Sequence, residues 1–173
     1  MDIDNTNGLN NTSKAPRGLI VLVVLTLINT GFSVLSALFS LFRKAPTIKE
    51  LQGGKVEMAK SIIELKNRGM DSMVSFMEQI QAMTEAMQPF YIQSNIVNVF
   101  IFACGAISAI LMYRRKSNGF HLYIIYNLAA AGSLYLFISP SLVPTVIVVT
   151  NLILSFVFVL LYARHLLWIR GEY

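Results

Sequence analysis

The sequence predicts an all-α polytopic membrane protein: four transmembrane helices, with a long amphipathic helical segment or helical hairpin between spans one and two. Three observations carry this. Hydrophobic residues make up 55% of the 173 residues and charged residues 13%, against a charged share of about 25% in soluble domains. Mean hydropathy is +0.60, more apolar side chain than a chain this small can hide from water. The apolar residues fall into four runs, and every Asp, Glu, Lys and Arg lies between or outside them.

Residues 1–17 are polar, rich in Asn and Thr, and too poor in apolar side chains to pack, so they read as a disordered tail. Residues 18–42 hold no charge; the run exceeds the roughly 20 residues a spanning helix needs and the about 7–15 of a secretory core, so it reads as an uncleaved anchor. Residues 43–91 are extramembrane. The second span, 92–113, stops at Arg114-Arg115-Lys116 in a short basic loop, 114–119. A third span (120–138), a tight turn (139–141) and a fourth span (142–163) form an antiparallel hairpin, followed by a basic tail, 164–173. Tyr91, Tyr113, Tyr123, Tyr162 and Trp168 fall near the predicted interfaces, where amphipathic rings are favoured. The single cysteine, Cys104, has no partner for an internal disulfide and reads as a small packing residue.

Charge placement sets orientation. Half of the 14 Lys and Arg residues flank the apolar runs, and the three in the 114–119 loop belong on the cytoplasmic side. Four spans then put both termini in the cytoplasm and residues 43–91 outside it. No basic stripe with interleaved aromatics exists, so nucleic acid is not an expected partner.

Within 43–91, Thr47 and Glu50 form a capping-box pattern. Acids then recur every seventh residue, at Glu50, Glu57, Glu64, Asp71, Glu78 and Glu85, a period that stays near one helix face. The other face is apolar, and Ile63, Met70, Met73, Phe76, Met77, Ile80 and Met83 are its expected partner-facing residues. Gly53-Gly54 is expected to interrupt the first turns. Gly69 before Asp71 marks a possible break, with Asp71 as the next cap. The segment is then either one helix of about 40 residues, reaching roughly 60 Å, or a hairpin. Met70, Met73 and Met77 share a face on which Cu(I) is conceivable, but no His or Cys accompanies them, and they read as packing residues; no cofactor is expected.

The spans carry asparagines at Asn29, Asn98, Asn127 and Asn151; in span one Thr26, Asn29, Thr30, Ser33, Ala37 and Ser40 form one stripe at three- and four-residue steps, and in span three Asn127 stands with the small residues Ala130 and Ala131. An amide facing lipid is costly, so each should face the bundle interior or a wet cavity, as helix–helix packing or as a pore strip. No catalytic or metal-binding constellation is evident, and no enzyme is expected.

The stretch Arg114 to Tyr123, with its basic pair, Gly119-Phe120 and Tyr123, resembles a hinge in small bacterial four-span membrane proteins. The resemblance implies a bacterial inner membrane and no activity. The large loop between spans one and two is also similar in plan to claudins, but the Cys pair and Trp-Gly-Leu of that family are missing from it. The expected role is an accessory or scaffold subunit in the lipid bilayer, associating with itself or with other membrane subunits through the Met-rich face of residues 51–87 and small-residue span faces. The alternative is a homo-oligomeric channel for ions or small neutral solutes, lined by the asparagines.

Overall fold

The computed structural model describes residues 15–43 and 48–170. The described residues are helical throughout, in the order α1 (Arg17–Phe42), α2 (Ile48–Asn67), α3 (Asp71–Met87), α4 (Tyr91–Tyr113), α5 (Asn118–Gly132), α6 (Thr145–Ala163) and α7 (Leu166–Arg170). Three stretches are long and apolar enough to cross a membrane: Arg17–Phe42, Asp71–Tyr113 and Thr145–Ala163. Most of the expected disordered tail (1–14) and the Thr47 cap lie outside the described residues.

The expected third span is not a continuous α-helix. α5 stops after 15 residues, about 22 Å of α-helix. The chain tightens at Gly132 into a 3₁₀ turn, Ser133–Leu136, with the Ser133 hydroxyl donating to the Ala130 carbonyl (3.0 Å).

α1 packs along α4, and α4 along α5. The α1–α4 contact is close: α4 buries the small residues Gly105, Ser108 and Ala109, and α1 buries Thr26, Thr30 and Ala37. A Cβ on Gly105 would lie 2.9 Å from Thr30 Cγ2. Two of the buried hydroxyls are satisfied within their own helices: Thr30 donates to the Thr26 carbonyl (2.7 Å) and Ser108 to that of Gly105 (2.6 Å). α6 leans on this layer and buries only Tyr162.

α2 and α3 form a hairpin, not one long helix. The break is a Schellman motif: Met70 N–H donates to the Leu65 carbonyl and Gly69 N–H to that of Lys66, with Gly69 at φ +70°, where the lack of a Cβ removes the steric penalty. Two expectations there are corrected. Gly53 and Gly54 sit inside α2, exposed, where a Cβ on either would meet nothing within 4 Å. Asp71 is in the first turn of α3, whose cap position is Met70 with no side-chain cap bond. Lys55 Nζ joins Glu85 across the hairpin at 3.1 Å. At Pro89 the missing N–H tightens the chain into a 3₁₀ turn before α4 resumes the helix.

The two ends of the molecule differ in charge. The hairpin extends from the end holding Phe42 and Tyr91, where the Tyr91 hydroxyl donates to the Ser40 carbonyl (3.2 Å). It holds every acid among the described residues. The opposite end gathers Arg17, Arg114, Arg115, Lys116, Arg164 and Arg170. The best-packed core sits near it: Leu19, Leu22 and Val23 with Ala109, Met112, Tyr123, Tyr126, Tyr162, Trp168 and Ile169. The expected basic tail is thus partly core, since α7 buries Trp168 and Ile169. Tyr162, expected at an interface, is fully buried, its hydroxyl 2.9 Å from Thr26 Oγ1.

Candidate functional site

Beyond this core lies a cavity of about 570 Å³ between α1, α5 and α6, with Phe102 of α4 on its wall. Thr26, Asn29 and Ser33 line it from α1, Tyr123 and Asn127 from α5, and Asn151 and Ser155 from α6. Three asparagines more than twenty residues apart in sequence therefore reach one site. They do so because each stands near the middle of its own apolar run, on helices that border one cavity. Asn98, half-buried on α4, does not line the cavity.

The amides do not act as glue between helices of this chain. Asn127 Nδ2 donates to the Tyr123 carbonyl one turn back (2.8 Å). Asn29 and Asn151 are exposed at the mouth, where α1 and α6 diverge. Ser33 donates to the Asn29 main-chain carbonyl (2.8 Å), leaving the Asn29 side chain out of that bond. The polar bond that does tie α1 to α6 is Thr26–Tyr162, with Tyr123 stacked edge-on against Tyr162 at 4.7 Å. Sequence reasoning placed Thr26 on the polar stripe of the first span but had no signal for its partner. A hydroxyl at the end of an apolar run looks the same whether it meets headgroups or a buried threonine.

The walls of the groove are strongly apolar on their outer side. α6 exposes Val146, Leu152, Ile153 and Phe156, and α1 exposes Ile28, Phe32 and Leu35.

The expected partner-facing residues of the hairpin divide into two sets. Phe76, Met77, Ile80 and Met83 are half-buried along α3, whereas Ile63, Met70 and Met73 are exposed around the turn at its tip. Sequence periodicity could not separate them, because both sets share one face of α2–α3 and only the fold-back at Gly69 covers part of it.

No known protein family, curated protein or solved structure matches the chain.

Proposed function

We propose that the chain is a four-span membrane protein acting as an accessory or scaffold subunit, and that it docks a partner's transmembrane helix in the cleft between α1 and α6. The observation that carries this is the convergence of Asn29, Asn127 and Asn151 on one cavity whose two outermost amides are exposed. In hydrocarbon an unpaired amide costs several kcal/mol, of order 2–7. A partner helix with an amide or hydroxyl at its midpoint removes that cost and covers the apolar walls. The exposed hairpin tip, with Ile63, Met70 and Met73, is a second contact outside the bilayer. Both termini and residues 114–119 face the cytoplasm in this reading, and the hairpin faces the other side. Six cations with no described acid among them at one end, against a hairpin end where six acids are matched by as many Lys and Arg residues, support it.

The test is purification in mild detergent with mass measurement and identification of co-purifying chains, for wild type, Asn29→Leu and Asn151→Leu. Wild type should travel as an oligomer or with a partner, and both variants should fold but dissociate. A wild-type monomer with no partner refutes the reading. The same cavity supports a second reading, a homo-oligomeric channel in which the amides face a central axis. There Asn29→Leu leaves assembly intact and changes conductance in planar bilayers.

A further inference from the structure

At the basic end a cavity of about 370 Å³ is lined by Arg115, Ser117, His121 and Arg170. Its walls come from the α4–α5 loop, the first turn of α5 and the end of α7. None of the four residues lining it is acidic. The loop is shaped to present Arg115. α4 ends in a Schellman motif, with Lys116 N–H donating to the Leu111 carbonyl and Arg115 N–H to that of Met112. Arg115 has φ +56°, in the left-handed region that residues with a Cβ seldom enter. Its guanidinium carbon sits 4.4 Å from the centroid of the Trp168 ring, and Trp168 is itself held in the core. A guanidinium placed over an aromatic platform keeps its charge while its position is restricted. Opposite it, His121 Nδ1 lies 3.3 Å from the Ser117 carbonyl, so that nitrogen carries the proton. The N-terminus of α5, a 15-residue helix, adds its partial positive charge at the same place.

We infer that this cavity binds a phosphate group, that of an anionic membrane lipid. Two arginines and a histidine approaching from three elements suit a tetrahedral anion with several acceptor oxygens. Their position at the ends of α4 and α7 is the level at which lipid headgroups meet a cytoplasmic face. The inference rests on the membrane placement proposed above.

The experiment uses the full chain in lipid nanodiscs of phosphatidylcholine alone or with phosphatidylglycerol, followed by native mass spectrometry of retained lipid. Wild type should keep phosphatidylglycerol in preference to phosphatidylcholine. Arg115→Gly and Arg170→Gln should each weaken that preference about tenfold. Glycine is at home at this φ, so Arg115→Gly removes the charge without a backbone penalty. Arg114→Gln, an exposed residue of the same loop outside the cavity lining, should change retention little. Equal retention of the two lipids by wild type overturns the inference, as does equal loss in Arg114→Gln and Arg115→Gly, which would mean diffuse surface charge. Inorganic phosphate added to the phosphatidylcholine discs separates the sources. If it raises the unfolding temperature of wild type and not of Arg115→Gly, the phosphate is a soluble one and the anion site stands. If only phosphatidylglycerol does so, the lipid is confirmed. Failure to insert into discs refutes the membrane placement and, with it, the lipid as source.

Discussion

Gly105→Ala should destabilise the bundle where Gly31→Ala does not, and the difference can be worked from the packing. A Cβ on Gly105 would meet Tyr126 Cε2 at 2.8 Å and Thr30 Cγ2 at 2.9 Å, whereas a Cβ on Gly31 meets nothing within 4 Å. Carbon atoms prefer separations of about 3.5–4.0 Å, so the new methyl has to displace its neighbours by roughly 0.7 Å or more. Neither neighbour moves easily. Tyr126 is 7% exposed and in ring contact with Phe102 and Tyr123. Thr30 is fully buried, with its hydroxyl bonded to Thr26. Overpacking of this kind costs about 1–3 kcal/mol. Both variants share the gain of about 0.5–1 kcal/mol from replacing a mid-helix glycine, so their difference isolates the clash. Equilibrium unfolding in mixed micelles, with rising dodecyl sulfate fraction and helicity read by circular dichroism, measures it. Gly31→Ala should be at least as stable as wild type, and Gly105→Ala should lie about 1–3 kcal/mol below Gly31→Ala. Equal stability of the two variants would refute the close α1–α4–α5 contact.

Thr26→Val leaves the buried Tyr162 hydroxyl without its partner and should cost about 1–3 kcal/mol in the same unfolding assay. The double variant with Tyr162→Phe should recover part of that loss, and simple additivity would argue against the bond. Gly69→Ala forces a Cβ into φ +70° and should cost about 1–2 kcal/mol, opening the α2–α3 hairpin; spin-label distances between positions 55 and 85 should lengthen, and an unchanged distance would contradict the turn assignment. The Glu85 carboxyl is held below its ordinary value, first by the hydrogen bond from Gln81 and then by Lys55. Because that value is depressed in the folded hairpin, the support it lends is complete above the ordinary carboxylate range and is lost as pH falls through the lowered one. A carboxyl NMR titration should show a larger upward shift for Gln81→Ala than for Lys55→Met, and the reverse order would overturn the attribution.

Legibility differed between elements for physical reasons. α1, α4 and α6 follow directly from uncharged apolar runs, because length and hydropathy are properties of a single segment. The hairpin was visible as an option in Gly69 followed by Asp71, but choosing it over one long helix required contacts such as Lys55–Glu85. Gly53-Gly54 misled, since helix propensity is a weak prior that the rest of a 20-residue helix overrides. The third apolar run misled in another way. Ala130 and Ala131 read as small residues for close packing, yet the α-helix ends one residue later, at Gly132, and continues as 3₁₀. The C-terminal residues were read as a basic flank because five residues of helix carry too little periodicity to signal burial of Trp168 and Ile169.

The asparagines show where depth and contact part company as sources of information. Position within an apolar run sets how deep a residue lies, and by that measure Asn29, Asn127 and Asn151 share one level while Asn98 sits nearer the acidic end. Which helices stand side by side is set by small residues such as Gly105 and by Thr26–Tyr162, and that information is spread over the whole bundle. Energetics then make the cleft more than a packing defect. An interhelical hydrogen bond in a membrane contributes only about 0.6 kcal/mol on average, too little to hold a partner alone. Leaving an amide unpaired in hydrocarbon costs of order 2–7 kcal/mol. On the proposed reading, the drive toward association comes less from the bond a partner forms than from the unpaired state it ends. That gives Asn29→Leu a sharp expectation. Once the amide is gone the isolated chain is relieved of its penalty, so the variant should be the more stable as a monomer and the weaker in association. Destabilisation of the monomer instead would place Asn29 inside the fold and remove the cleft as a docking surface.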